Sequence, residues 1–134
     1  MNEVEPNLIA AYENSVVTVY LASGDFKTSP TMKTISLPKQ LAPCAWVITA
    51  HNPRSRVQSP EVNTKRQGRL HELLQGMPRV AIYPALGSSE SGDWSEASFA
   101  VSGIGFDEIR NVARLFEQNA VYKLDKNGCS VVLV

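Results

Sequence analysis

The sequence has few of the features that mark specialised protein classes. Its two cysteines, Cys44 and Cys129, lack CxxC spacing, so neither a disulfide scaffold nor a zinc ribbon is expected and both are predicted to be small core residues. No run approaches the roughly 18 apolar residues of a membrane span, and the N-terminus is acidic rather than basic. We therefore expect a cytoplasmic protein that makes no membrane contact.

The chain also has no excess charge of either sign, which argues against nucleic acid as a partner. The charge is nevertheless segregated. Residues 51–79 hold six Lys or Arg and two acids, whereas residues 86–117 hold six acids and two Arg. The two regions could face each other within the fold, meet a protein partner, or be solvated surface, and the last interpretation is favoured.

An apolar content of 43% and a charged content of 19% are typical of a globular protein, and 134 residues predict a single domain over 1–134. Periodicity predicts an α+β fold, with one mostly antiparallel or mixed sheet of about six strands, two main helices packed on it and a short N-terminal helix. The strands are predicted at 15–21, 44–49, 80–83, 94–101, 120–124 and 129–134, and the helices at 6–13, 60–75 and 106–118. Residues 22–43, with Ile35 and Leu37 as apolar anchors, and residues 86–93 are predicted to be loops, the former with a short extended or helical piece.

The end of the strand at 44–49 is the first candidate site. A polar turn, Thr49 to Pro53, follows this strand, and a basic loop then leads to a helix opened by Ser59-Pro60-Glu61. Such a junction offers free backbone N–H groups and a helix dipole that favour anions, with Arg54, Arg56 and Arg66 nearby. In the alternative, these arginines pair with Glu61, Glu96 or solvent. Helical spacing places Asn63, Arg66 and Gln67 on the face that continues from Leu70 and Leu74, so we expect them to point toward the strand end.

A second strand is predicted to contribute to the same site. Alternation puts Trp94, Glu96, Ser98 and Ala100 on one face, where Trp94 supplies a stacking surface and Glu96 a carboxylate. Glu96 could equally form a salt bridge with Arg66. The predicted ligand-binding residues are Thr49, Asn52, Ser55, Asn63, Arg66, Trp94 and Glu96.

Other site chemistries have weaker support. A metal site built from His51, Asp93 and Glu96 is not favoured, since there is no HExxH and the carboxylates are scattered. No Gly-rich loop joins a strand to a helix, so no cofactor is expected. Ser55 and His51 lie in one loop, but no GxSxG elbow frames a nucleophile.

Several segments together resemble an uncharacterised bacterial domain-of-unknown-function family. They are Thr49-Ala50-His51-Asn52-Pro53-x-Ser55 (TAxNPxS), Trp94-x-Glu96 (WxE) and Phe116-x-Gln118-Asn119-Ala120 (FxQNA). The resemblance implies a small cytoplasmic protein and brings no known activity. It adds Gln118 and Asn119 to the polar positions of interest, while His51 stands where an aromatic residue is expected in relatives.

Three functions are compatible with these observations. The first is a small soluble binding domain with a polar pocket for a small anionic or nucleotide-like ligand. The second is a protein-interaction or regulatory module that uses the oppositely charged surfaces. The third is a hydrolase or nuclease with Glu96 as base and Arg66 stabilising developing charge.

Overall fold

A computed structural model describes residues 6–32 and 36–134 of the chain. The helices are α1 (Pro6–Glu13), α2 (Pro60–Gln75) and α3 (Phe106–Leu115), with a short 3-10 turn at Pro53–Ser55. The strands are β1 (Val16–Leu21), β2 (Gly24–Thr28), β3 (Cys44–Ile48), β4 (Ala81–Ser88), β5 (Ser95–Ser102), β6 (Ala120–Asp125) and β7 (Gly128–Leu133). They form one sheet in the order β2-β1-β4-β5-β3-β6-β7, and every neighbouring pair is antiparallel.

The two faces of the sheet carry separate hydrophobic cores. On one face, α2 and α3 pack Leu70, Leu74 and Ile109 against Trp46 and Ile48 of β3. On the other face the core contains no helix residue. Its buried side chains come from Leu41 and from the strands β1, β3, β4, β5, β6 and β7. Strands so far apart in the sheet order share one core only because the sheet curls, as twisted antiparallel sheets do. We call this second face the concave face.

The α+β class with helices on a single sheet is confirmed, but the count of about six strands was too low. The missed strand is β2, which lies in the segment 22–43 and pairs with β1. Its sequence, Gly-Asp-Phe-Lys-Thr, has one large apolar residue and no apolar run, because an edge strand exposes most of its side chains. The predicted anchor Ile35 lies outside the described residues.

The second correction concerns β4, which was predicted to end before Pro84. The strand instead runs through Pro84 to Ser88, so Leu86 and Gly87 are strand residues rather than loop. Proline lacks the N–H needed for a ladder between two neighbours. Here the pairing with β1 covers only residues 85–88, so Pro84 lies where β4 pairs with β5 alone.

Helix α2 has the predicted bounds and caps. Ser59 Oγ accepts a hydrogen bond from the backbone N–H of Val62, and the Gly76 N–H donates to Glu72 at the other end. The buried residues of α2 are Asn63, Leu70 and Leu74, whereas Leu73 is exposed. In the described ranges, none of the helices is long and apolar enough to cross a bilayer.

Candidate functional site

A cavity of about 670 Å³ opens on the concave face, above the second hydrophobic core. Its floor is the sheet, with Val47 and Thr49 from β3 and its end, and Glu96 and Ser98 from β5. Helix α1, the loop after β3 and the turn between β4 and β5 form the walls. The wall residues are Leu8, Ala11, Tyr12, Asn14, Ser15, Asn52, Ser55, Val57, Ser89, Glu90, Ser91 and Trp94.

The defining polar contact of the cavity joins Asn52 to Glu96. The Asn52 side-chain amide donates to Glu96 Oε2 at 2.7 Å. The structure records no hydrogen bond from any described residue to the other carboxylate oxygen, Oε1. Burial raises the pKa of Glu96 to about 7, and the Asn52 hydrogen bond lowers it by less. The carboxyl group is therefore held in place, yet among residues 6–32 and 36–134 its Oε1 has no hydrogen-bond donor and the group has no ion-pair partner.

Asn52 is itself fixed by α2 and by the loop that precedes it. Its side-chain oxygen accepts from Asn63 Nδ2 at 2.9 Å and from the Gln58 N–H at 3.0 Å, and its N–H donates to Asn63 Oδ1 at 2.9 Å. Asn63 is only 8% exposed, so this pairing is buried. Asn52 has φ 47°, a left-handed conformation that Asn tolerates better than most residues. Asn63 thus lies behind the cavity wall and positions Asn52.

The loop after β3 holds two further residues with positive φ. Arg54 and Ser55 have φ of 54° and 62°, a conformation that costs of the order of 1 kcal/mol or more for each such residue. The Arg54 N–H donates to the Glu117 carbonyl at 2.7 Å, and Glu117 also has positive φ. The loop is therefore held in a strained shape by docking on the segment after α3.

A hydroxyl cluster lies where this loop meets α1. Ser55 Oγ and Tyr12 Oη are 2.7 Å apart, and Asn119 Nδ2 donates to both, at 3.2 and 3.3 Å. The Ser55 hydroxyl is thus bound to Tyr12 and Asn119 and not to His51. This arrangement gives no support to a Ser–His nucleophile pair. It ties α1 to the rim of the cavity instead.

Arg66 lies outside the cavity, on the helix-covered face. Its Nε donates to the Ala50 carbonyl at 2.7 Å, Nη2 donates to the Phe116 carbonyl, and Nη1 lies 3.8 Å from Glu117 Oε1. Arg54 likewise donates to the Gln118 carbonyl. The last carbonyls of a helix lack intrahelical donors, and cations are favoured there. Arg66 therefore binds at the carbonyl end of α3, and Arg54 binds the segment that follows it. The two arginines do not converge at the start of α2.

Gln118, which the resemblance singled out, joins the same two segments. Its side-chain amide donates to the His51 and Phe116 carbonyls, and it is only 7% exposed. Burial lowers the pKa of His51. Within residues 6–32 and 36–134, no three His, Cys, Asp or Glu side chains are grouped so as to hold a metal ion, and this includes His51, Asp93 and Glu96.

Tyr122, on β6, supplies a polar group that the sequence did not reveal as part of the site. Its hydroxyl oxygen is buried and has no hydrogen-bond partner in the described part of the chain. Burial raises the pKa of Tyr122 to about 12, and the nearby Glu96 carboxyl adds to this increase. The Ser15 hydroxyl lowers the pKa, although its geometry does not meet that of a hydrogen bond. An unpaired buried hydroxyl beside a cavity is a donor available to a ligand.

Five of the seven predicted residues line the cavity: Thr49, Asn52, Ser55, Trp94 and Glu96. Asn63 and Arg66 do not. Sequence reasoning missed Tyr12, Tyr122 and Gly87. Alternation along β6 groups Tyr122 with Ala120 and Leu124, but nothing in the sequence shows which face becomes concave.

One comparison with known proteins gives a match. Residues 48–121, more than half of the chain, match the family model described as "Protein of unknown function (DUF3293)". The chain belongs to this family. The matched part of this DUF3293 protein contains Asn52, Asn63, Glu96 and Gln118, whereas α1 and Tyr122 lie outside it. No curated protein and no solved structure gives a significant match.

Proposed function

We propose that this DUF3293 protein is a small-molecule-binding domain whose ligand occupies the cavity on the concave face. The observation that carries the proposal is the cavity itself, about 670 Å³ with the Glu96 carboxyl fixed in its floor. Ligand sites commonly measure about 300–1,000 Å³ and combine apolar walls with a few placed polar groups. Val47, Val57 and Ala120 supply apolar surface here.

The anionic or nucleotide-like ligand expected from the sequence has little support in the lining. None of the described residues that line the cavity is Lys, Arg or His, while Glu90 and Glu96 are acidic. An anion would find no cationic partner, because Arg66 binds carbonyl groups on the opposite face. The cavity is therefore proposed as a small-molecule site, but not as a site for an anionic ligand.

Gly87 provides the variant that tests the pocket. A Cβ added there would lie 3.9 Å from Ser98 Oγ and 4.0 Å from Trp94 Cη2, both ordinary contacts, and Gly87 itself lines the cavity. Gly87→Val should keep the fold, since valine suits a strand better than glycine does. Its methyl groups would occupy space that a ligand needs. Gly87→Ala adds only the Cβ and serves as the graded control.

The experiment is a fragment screen read by thermal shift and by tryptophan fluorescence. Trp94 is 37% exposed and lines the cavity, whereas Trp46 is 5% exposed on the helix-covered face. Cavity ligands should change the emission of wild type, with no change in Trp94→Phe, and should not shift the melting temperature of Gly87→Val. A folded Gly87→Val protein that responds like wild type, or a broad screen without a hit, would refute the pocket.

A hydrolase is the second candidate, and the Glu96 carboxyl favours it. A carboxyl group with a pKa of about 7 inside a cavity suits a general base. The expected partner is missing, because Arg66 does not reach the cavity. Turnover that is lost in Glu96→Gln while ligand affinity is kept would support this function. The interaction module remains a third hypothesis, and the Arg66–Glu117 ion pair already joins its two charged regions.

A further inference from the structure

The charge of the cavity limits the ligands that it can hold. Glu90 and Glu96 are the acidic residues of the lining, and the described lining residues include no basic side chain. The described residues also form no ion pair with Glu96. A ligand that brings negative charge would face the Glu96 carboxylate, whereas a cation would supply the counter-charge that none of the described lining residues provides.

The Glu96 carboxyl is oriented so that one of its oxygens can accept a hydrogen bond from a ligand. Oε2 is occupied by Asn52, and Asn52 is held in turn by Asn63 and the Gln58 N–H, so the carboxyl plane cannot turn freely. Oε1 is left for a ligand. A pre-positioned carboxylate oxygen binds N–H donors of a cation more strongly than those of a neutral group.

Three aromatic rings contribute to the lining of the cavity. Trp94 lines the cavity with part of its ring exposed, and Tyr12 and Tyr122 line it from α1 and β6. Rings of this kind stack on flat groups and attract cations placed over their faces. A carboxylate in a cavity that also presents aromatic and aliphatic surface therefore complements a flat body that carries a positive N–H group.

We propose that the cavity binds an organic cation, with an amidinium, guanidinium or protonated amine donating to Glu96 Oε1 and a flat apolar body lying against Trp94. This assignment rests on the proposed small-molecule site and names its ligand class. The unpaired Tyr122 hydroxyl adds one donor for an acceptor elsewhere on the ligand. Binding is non-covalent and leaves the Asn52–Asn63 pairing intact.

Three probes that share one ring and differ in charge test this assignment: benzamidine, benzamide and benzoate. Affinities are measured by calorimetry and by Trp94 fluorescence on the full chain. We expect benzamidine to bind wild type at least about tenfold more tightly than benzamide, with benzoate weakest, since a charge-assisted hydrogen bond exceeds a neutral one by that amount. In Glu96→Gln the preference for benzamidine should fall to within about threefold, with benzamide affinity little changed.

The controls separate the ligand class from the pocket. Gly87→Val should lose benzamidine binding because the space is filled, while Thr18→Val, on the opposite face of β1, should keep it. If Glu96→Gln does not fold, Glu96→Asp replaces it, and withdrawal of the carboxylate by one methylene should weaken benzamidine selectively. Equal binding of the three probes, tighter binding of benzoate, or no binding of benzamidine overturns the cation assignment. The pocket proposal stands or falls separately, on the Gly87→Val response in the fragment screen.

Discussion

The side-chain amide of Asn52 donates to Glu96 Oε2 across a distance of 2.7 Å, and this bond joins the loop after β3 to β5. The side-chain oxygen and the backbone N–H of Asn52 bond Asn63 and the Gln58 N–H. A residue from α2, a residue from the loop and a residue from the sheet thus form one polar chain that ends at the cavity. The network both stabilises the fold and orients the Glu96 carboxyl group toward the cavity.

Asn52→Ala should lower the free energy of unfolding by about 2–4 kcal/mol. The change leaves the buried Asn63 Nδ2 and the Gln58 N–H without their acceptor, and it places alanine in a left-handed conformation. Urea denaturation measures the loss. Asn52→Gly is the matched control, because glycine loses the same side-chain hydrogen bonds but adopts the left-handed conformation without strain. A cost below about 1 kcal/mol for alanine would show that the network contributes little.

Glu96→Gln should change how stability depends on pH. The folded pKa of Glu96, about 7, lies above its ordinary value of 4.5, so the native state binds the additional proton. The contribution of Glu96 to the free energy of unfolding is therefore fully present below pH 4.5 and is lost as the pH rises to 7. The loss is at most about 3 kcal/mol. The stability of Glu96→Gln relative to wild type should rise over this window and level off above it.

The comparison isolates Glu96 because other titrating groups are kept in both proteins. Tyr12, Glu90 and Tyr122 share the cavity, and His51 lies just before Asn52. Burial lowers the pKa of His51, so its contribution has the opposite sign and is lost as pH falls through the region below 6.5. Unfolding curves at closely spaced pH values provide the measurement. A difference that is constant with pH would contradict the raised pKa.

Arg66→Lys should cost about 1–3 kcal/mol of stability without changing ligand affinity. The single ammonium nitrogen of lysine does not reproduce the two positions, Nε and Nη2, from which the guanidinium donates to the Ala50 and Phe116 carbonyls. The cavity lies on the other face of the sheet, so probe binding per folded molecule should stay the same. Arg69→Lys, an exposed substitution on the same helix, is the control. If folded Arg66→Lys lost probe binding, Arg66 would be part of the ligand site and the prediction would be wrong.

Local signals in the sequence determined several parts of the fold. Ser59, Pro60 and Gly76 bound α2 because capping and termination depend on neighbouring residues only. The Asn127-Gly128 turn fixed the hairpin of β6 and β7 for the same reason. Helical periodicity also placed Asn63, Arg66 and Gln67 toward the end of β3, where they bond Asn52 and Ala50.

Tertiary structure decided what those polar residues do. Arg66 and Asn63 point in the predicted direction, yet one meets the carbonyl end of α3 and the other a left-handed Asn52, and neither reaches the cavity. The curl of the sheet brought β6 and α1 to the cavity that contains Glu96, so that Tyr122 and Tyr12 belong to its lining. The sequence by itself determined most of the elements, the caps of α2 and the alternation that pairs Trp94 with Glu96, but it did not reveal β2 or the continuation of β4 through Pro84. Which face became a cavity depended on contacts between distant strands, because curvature arises from the packing of the whole sheet.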